Sequence, residues 1–176
     1  MEKLCLNLGC GSDYKEGFIN CDINPDCDGI KPDKIIDLEK PLPFPSNTVD
    51  FVFANQVFEH IKNFVDLMIE IHRILKPNGI LEARVPLFPC RAAIADPDHI
   101  RFFVPESFGM FCNPGTHPYF KGRGLFDIVD TQFGYNHYEG MSLQESKDFF
   151  TCLLAKLEKV KWVKDNKGEW IIEKKV

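Results

Sequence analysis

Nine residues, Gly9 to Gly17, separate two short apolar runs in LCLNLGCGSDYKEGFINCD, the segment from Leu4 to Asp22. Leu4, Cys5, Leu6 and Leu8 read as a strand buried on both faces, closed by Gly9-Cys10-Gly11. Phe18 to Cys21 read as a second strand, with Asp22 at its end. Parallel neighbours usually need a crossover of a dozen or more residues, so a full first helix cannot fit between them. The Ile23 to Asp33 connection, which carries Pro25 and Pro32, does not read as helical either. One sheet face is therefore expected to lack local helices. Either the long C-terminal segment or a second copy of the chain, as a homodimer, is expected to cover it.

Gly9 and Gly11 tolerate unusual dihedrals and leave no side chain between the main chain and a ligand lying across the strand's carboxyl end. Asp22 stands where a carboxylate can accept hydrogen bonds from both hydroxyls of a ribose. The dinucleotide fingerprint G-x-G-x-x-G wants a third glycine where this chain has Tyr14. A pyrophosphate needs that close helix approach; S-adenosylmethionine carries a sulfonium and an amino acid instead. On LNLGCGS and the acid ending the second strand, the chain resembles the class I S-adenosylmethionine-dependent methyltransferases, specifically their small methyltransferase-domain-11-like members. Lys34 to Leu38 reads as a third strand ending in an acid. PLPFPSNTVDFVFANQVFEHI, from Pro41 to Ile61, resembles the family's fourth strand, the turn after it and a Glu59-His60-Ile61 signature. EIHRILKPNGIL, from Glu70 to Leu81, matches a helix end, an Asn-Gly turn and a fifth strand. The likeness covers residues 3 to 86, with an echo at DPDHIRFFVPESF.

The resemblance implies a single 1–176 domain with a Rossmann-like α/β fold: a mostly parallel twisted sheet with helices on its faces, an antiparallel last strand and pared-down first crossovers. It also implies S-adenosylmethionine as cofactor, S-adenosylhomocysteine as product and a small-molecule methyl acceptor. The cofactor-binding set it implies is Asn7, Gly9, Cys10, Gly11, Asp22, Ile23, Asp37, Leu38, Asn55, Gln56 and His60. Asp22 would hold the ribose, and Asp37 the adenine amine. Pro86 to Gly124 is expected to be a mobile substrate-side cover, since ligands sit beyond the carboxyl ends of the strands. Asp98 and His99 are its candidate acid and base. Two other classes stand beside an active enzyme. One is a cofactor-binding accessory or regulatory protein without transfer activity; the other, a nicotinamide oxidoreductase, is disfavoured by Tyr14 and by a second acid at Asp37.

Elsewhere the periodicity predicts two helices. Phe64, Val65, Met68, Ile71, Ile74 and Leu75 recur at helical spacing after an Asn63 cap. A second helix is predicted from Ser142, whose S-x-x-E pattern with Glu145 forms a capping box, burying Ser146, Phe149, Phe150, Leu153, Leu154 and Leu157. Phe126 to Phe133 and Trp170 to Glu173 are candidate last strands, with Lys159 to Val163 as an alternative partner for the latter.

The formal net charge of −5 gives no electrostatic footprint for nucleic acid. No apolar run approaches the ~20 residues that span a bilayer, so neither membrane nor signal peptide is expected and the location is read as cytoplasmic. The seven cysteines stand singly, without a C-x-x-C pair, and the five histidines lack ligand spacing, so no metal is expected.

Overall fold

The computed structural model describes residues 3–112, 125–135, 142, 144–145, 151–164, 167 and 169–173. Seven strands form one sheet: β1 (Cys5–Leu8), β2 (Ile19–Asp22), β3 (Lys34–Ile35), β4 (Val49–Asn55), β5 (Leu75–Pro86), β6 (Phe126–Tyr135) and β7 (Thr151–Lys159). Their order is β3-β2-β1-β4-β5-β7-β6. The first five run parallel, and β7 lies antiparallel between β5 and β6. Two helices are described: α1 (Phe64–Ile74) between β4 and β5, and the short α2 (Arg91–Ala95) after β5. This is the expected mostly parallel, Rossmann-like α/β sheet with an antiparallel last strand.

The register explains the core. Ile19, Leu6, Val52, Leu81 and Leu157 stand side by side across five strands, and Cys21, Leu8, Ala54, Ala83 and Ala155 form the next row. Both rows face α1, which buries Phe64, Leu67, Met68, Ile71 and Ile74 against the sheet. Val65, expected on that face, is exposed instead. Neither end of α1 is capped locally. Asn63 makes no side-chain cap; Glu39 accepts from Lys62 N–H at 2.6 Å and Asn63 N–H at 3.0 Å, placing an anion at the positive end of the helix. At the other end Lys159 Nζ donates to His72 O and Leu75 O at 2.8 and 2.9 Å.

The second face is finished differently. Across it the register sets Asn20, Asn7, Phe53, Glu82, Lys156 and Asp130 in one row. As the spacing predicts, no helix joins β1 to β2. Residues 10–18 instead form a loop held down by the two buried asparagines. Asn7 Nδ2 donates to Asp13 O at 2.7 Å and Asn20 Oδ1 at 2.9 Å. Asn20 Oδ1 also accepts from Lys15 N–H, while its Nδ2 donates to Lys15 O, Phe18 O and Asp33 Oδ2. Tyr14, standing where a third glycine would open a helix, donates from its hydroxyl to Asp33 Oδ1 at 2.9 Å. Lys15 and Arg84 lie over the Phe53 ring, and Glu82 pairs with Arg84 and Lys156. This row carries its own counter-charges.

One C-terminal expectation is corrected, and one open pairing is decided in favour of the alternative. The Ser142 capping box forms, with Ser142 N–H and hydroxyl both donating to Glu145 Oε2, but Leu153, Leu154 and Leu157 belong to a strand and not to a helix. Leu153, Ala155 and Leu157 are buried at period two on the core face, and Leu154 points the other way. Ser146, Phe149 and Phe150 lie outside the described residues. The segment Trp170–Ile172 is β9, paired antiparallel with β8 (Trp162–Lys164) in a separate two-stranded sheet.

His72, on α1, lies edge-on to Phe126, and burial with Lys159 nearby pushes its imidazole down to about 4. Its folded value is depressed, so the stability it contributes is present above pH ~6.5 and lost as pH falls toward 4. The stability difference between wild type and His72→Gln in urea unfolding is expected to shift by about 2 kcal/mol against wild type between pH 7 and 5, a comparison that cancels the opposite contribution of other buried groups. Equal pH slopes in the two proteins would exclude His72 as the source.

Candidate functional site

The chain order reverses direction between β1 and β4. Strands β2 and β3 run out on one side of β1, and β4 and β5 on the other. Open α/β sheets bind ligands beyond the carboxyl ends of the strands at such a switch point. A cleft of about 350 Å³ opens there, lined by Gly9, Asp22, Ile23, Ile36, Asp37, Leu38, Glu39, Gln56, Val57, His60 and Ile61. A larger cleft of about 680 Å³ lies at the other end of the sheet, lined by Asn47, His72, Pro77, Asn78 and residues 158–161 among others. None of the predicted site residues line it.

Local chemistry shapes the smaller cleft. Gly9 has φ +62°, and a Cβ there would sit 2.5 Å from Val57 Cγ2. Only glycine fits, because Val57 closes directly on the backbone. Asp22 Oδ2 accepts from Gly11 N–H at 2.8 Å and Oδ1 from Asn24 N–H at 2.9 Å. Each oxygen keeps a second lone pair, so the carboxylate is oriented and still able to accept. Asp37 Oδ1 accepts from Glu39 N–H at 3.0 Å, and Oδ2 lies 3.1 Å from Lys40 Nζ. These donors hold its carboxyl below the usual carboxylate range. Gln56 adopts φ +55°, and its N–H donates to Arg84 O at 2.8 Å. A non-glycine residue in this conformation carries strain of the kind that collects at functional sites.

Of the residues predicted for the cofactor, the structure brings Gly9, Asp22, Ile23, Asp37, Leu38, Gln56 and His60 together around the cleft. It leaves four out of the lining. Asn7 is buried on the second sheet face, occupied with Asp13 and Asn20. Asn55 alternates onto that same face beside Phe53. Cys10 is buried in the turn, its N–H donated to Cys21 O and its thiol pushed up to about 11, chiefly by burial. Gly11 N–H is committed to Asp22.

The segment after β5 is anchored where described. Ile100 N–H donates to Glu59 O, and Arg101 donates to Ile61 O and Lys62 O. Phe103, Phe108 and Phe111 enter the core around Phe58 and Phe64. Residues 87–112 are thus pinned to the core at these points, and residues 113–124 of the expected cover lie outside the described set.

That docking sets His99 against the signature Glu59-His60. The two imidazoles meet edge to face with centroids 4.9 Å apart. His99 Nε2 lies 4.0 Å from Glu59 Oε1 and 3.6 Å from Asp96 Oδ2. His60 Nδ1 pairs with Asp98 O at 3.2 Å, and His99 Nδ1 with Ala93 O at 3.1 Å. A carbonyl only accepts, so both Nδ1 atoms carry a proton, and the neutral tautomer this selects has its lone pair on Nε2. The Asp98 side chain is exposed, and it is its carbonyl that reaches His60. Glu59, which the sequence reading left without a role, is fully buried with neither carboxylate oxygen hydrogen-bonded. Desolvation, with a smaller push from Asp96, raises its carboxyl to about 7. The one signal for it was an acid set directly between Phe58 and His60 in an otherwise apolar turn.

Residues 18–83 match the family model described as a methyltransferase domain. Over that stretch, less than half of the chain, the sequence is similar to a methyltransferase domain. Over 81 residues it is 35% identical to a Dictyostelium discoideum protein named "Probable polyketide synthase 38", a stretch covering 44% of this chain and 2% of that protein. The chain thus spans a small fraction of the curated relative it matches. Among solved structures, a complex between the Haloferax volcanii Trm112 methyltransferase activator and a methyltransferase aligns with TM-score 0.63 and 17% identity, covering 90% of this chain and 83% of that one. An S-adenosylmethionine-dependent methyltransferase from Mesorhizobium loti aligns with TM-score 0.60 and 14% identity, over 89% and 90% of the two chains. These likenesses establish the shared fold. No described helix is long and apolar enough to cross a membrane, and the seven cysteines are unbridged.

Proposed function

We propose that this chain binds S-adenosylmethionine in the smaller cleft and transfers its methyl group to a small-molecule acceptor. The observation that carries the reading is the meeting of Gly9, Asp22, Asp37, Leu38, Gln56 and His60 around one cleft at the sheet's switch point. The residues fit the cofactor. Gly9 and Val57 pack together as one wall of the cleft, Asp22 has an acceptor lone pair on each oxygen for a ribose diol, and Ile36, Leu38 and Ile61 supply apolar walls for a base. The bound cofactor supplies a methyl group already activated by its sulfonium. What the chain must add is alignment and exclusion of water, worth up to about 7–11 kcal/mol in favourable cases. For a hydroxyl acceptor a proton recipient is also needed, and His99, stacked edge-on to His60 with its Nδ1–H held by Ala93 O, is the candidate for it. Asp98 assists through its carbonyl on His60. The unbridged cysteines are consistent with a reducing, cytoplasmic setting.

Calorimetry with S-adenosylmethionine, S-adenosylhomocysteine and NAD tests the reading. The first two should bind and NAD should not; the reverse order would return the chain to the nicotinamide class. Asp22→Ala removes an acceptor and also frees Gly11 N–H and Asn24 N–H, so affinity for S-adenosylhomocysteine is expected to fall about ten- to a hundredfold. Unchanged affinity would place the ribose elsewhere. Turnover with any acceptor separates an active enzyme from a cofactor-binding accessory protein.

A further inference from the structure

The cluster at Glu59, His60 and His99 offers more lone pairs than methyl transfer uses. Glu59 is fully buried, and both of its oxygens lack a hydrogen-bond partner. A carboxylate that deep is costly unless a donor or a cation meets it. Two imidazoles face it. Each commits Nδ1–H to a backbone carbonyl, Asp98 O for His60 and Ala93 O for His99. That outer-shell pairing fixes the tautomer and ring orientation of metal-ligating histidines and leaves Nε2 free. One ligand atom from each of the three residues lies within 4.8 Å of the others. Asp96 Oδ2, 3.6 Å from His99 Nε2, adds a carboxylate at the solvent edge.

The geometry points to a divalent-cation site formed by Glu59, His60 and His99, with Asp96 at its rim. Two imidazole nitrogens and a carboxylate favour a borderline first-row cation, such as Zn²⁺, Fe²⁺ or Mn²⁺, over Mg²⁺ or Ca²⁺, which prefer oxygen throughout. Zinc at about 2.0–2.2 Å from such ligands draws them closer together than they stand here, a movement within reach of side-chain rotation. The open side is toward the cleft, because His60 also lines it. A cation there neutralises the buried Glu59 and presents its vacant positions to an acceptor oxygen approaching the methyl group, where it acts as a Lewis acid. That last role rests on the methyl-transfer reading and takes the place of His99 as base, since a coordinated Nε2 has no lone pair left for a proton; cation binding itself does not rest on that reading.

The test uses the full chain, stripped with EDTA and titrated with Mn²⁺, followed by electron paramagnetic resonance and calorimetry. Mn²⁺ is chosen because it is a poor partner for the seven thiols. One Mn²⁺ per chain is expected, displaced by Zn²⁺. Affinity should fall by about tenfold to a hundredfold in Glu59→Gln and in His99→Ala, while both keep wild-type circular dichroism and S-adenosylhomocysteine affinity. Should Glu59→Gln fail to fold, the exposed His60→Ala is expected to lose cation affinity by about tenfold or more. The proposal is overturned if wild type binds neither Mn²⁺ nor Zn²⁺ stoichiometrically, or if the variants that fold bind it as tightly as wild type. Stoichiometric Mn²⁺ binding, lost in these variants, in a protein that fails to bind S-adenosylhomocysteine would support the cation site and sink the cofactor reading.

Discussion

Asn20→Ala is expected to destabilise the protein by about 3–5 kcal/mol. The side chain is fully buried and makes five hydrogen bonds, to Asn7, Lys15 N–H, Lys15 O, Phe18 O and Asp33. Removing it strands one N–H of the Asn7 amide, whose other N–H keeps Asp13 O, and the backbone groups of a loop that has no helix to satisfy them. Each stranded buried group costs about 1–3 kcal/mol, offset in part by water entering the exposed end. Denaturant unfolding measures the loss directly, and a change below about 1 kcal/mol would mean the loop holds itself. A second readout follows from the same loop. It positions Gly11 N–H on Asp22, so the variant should also bind S-adenosylhomocysteine more weakly at temperatures where it remains folded.

His99→Ala is expected to lower turnover by about a hundredfold or more with cofactor affinity nearly unchanged. The ring touches Glu59, Asp96 and His60 but does not line the cofactor cleft. A loss confined to KM for the cofactor would contradict that placement. Turnover within a few fold of wild type would remove His99 from the chemistry, leaving alignment and desolvation to carry it. His99→Gln helps to separate chemistry from packing: it fills much of the space and can still donate to Ala93 O, but it offers no basic nitrogen.

Much of the cleft could be anticipated because its parts follow one another along the chain. A strand, a glycine turn and an acid at the end of the next strand lie within Leu4 to Asp22, and parallel pairing of β1 with β2 and of β2 with β3 brings Gly9, Asp22 and Asp37 to the same end of the sheet. What failed were readings confined to a local window. Leu153 and Leu157 suit both a four-residue and a two-residue repeat, and only pairing with β5 and β6 settles the choice in favour of a strand. Asn63 has the composition of a cap, yet a full carboxylate from Glu39 takes the helix end. Asn7 was read toward the cofactor because of its place in the motif, whereas strand alternation turns it to the other face. The Glu59 and His99 pairing was invisible for a simpler reason. Those residues are joined by docking of the segment after β5, and neither has a sequence neighbour that hints at the other.

The position of β7 has a consequence for how the chain is made. On the ribosome β5 emerges with Ile80–Pro86 unpaired along one edge, and its antiparallel partner, Cys152–Glu158, is translated much later. At ~5–20 residues per second that interval is on the order of several seconds. Lys159, which closes the carboxyl end of α1, arrives later still. The parallel half of the sheet therefore waits with an apolar edge and an unfinished helix end, the combination that invites strand pairing between nascent chains. Charges already in place blunt it. Glu82 and Arg84 project from that edge strand on the polar face, so the residues that later complete the sheet also guard it while it is incomplete.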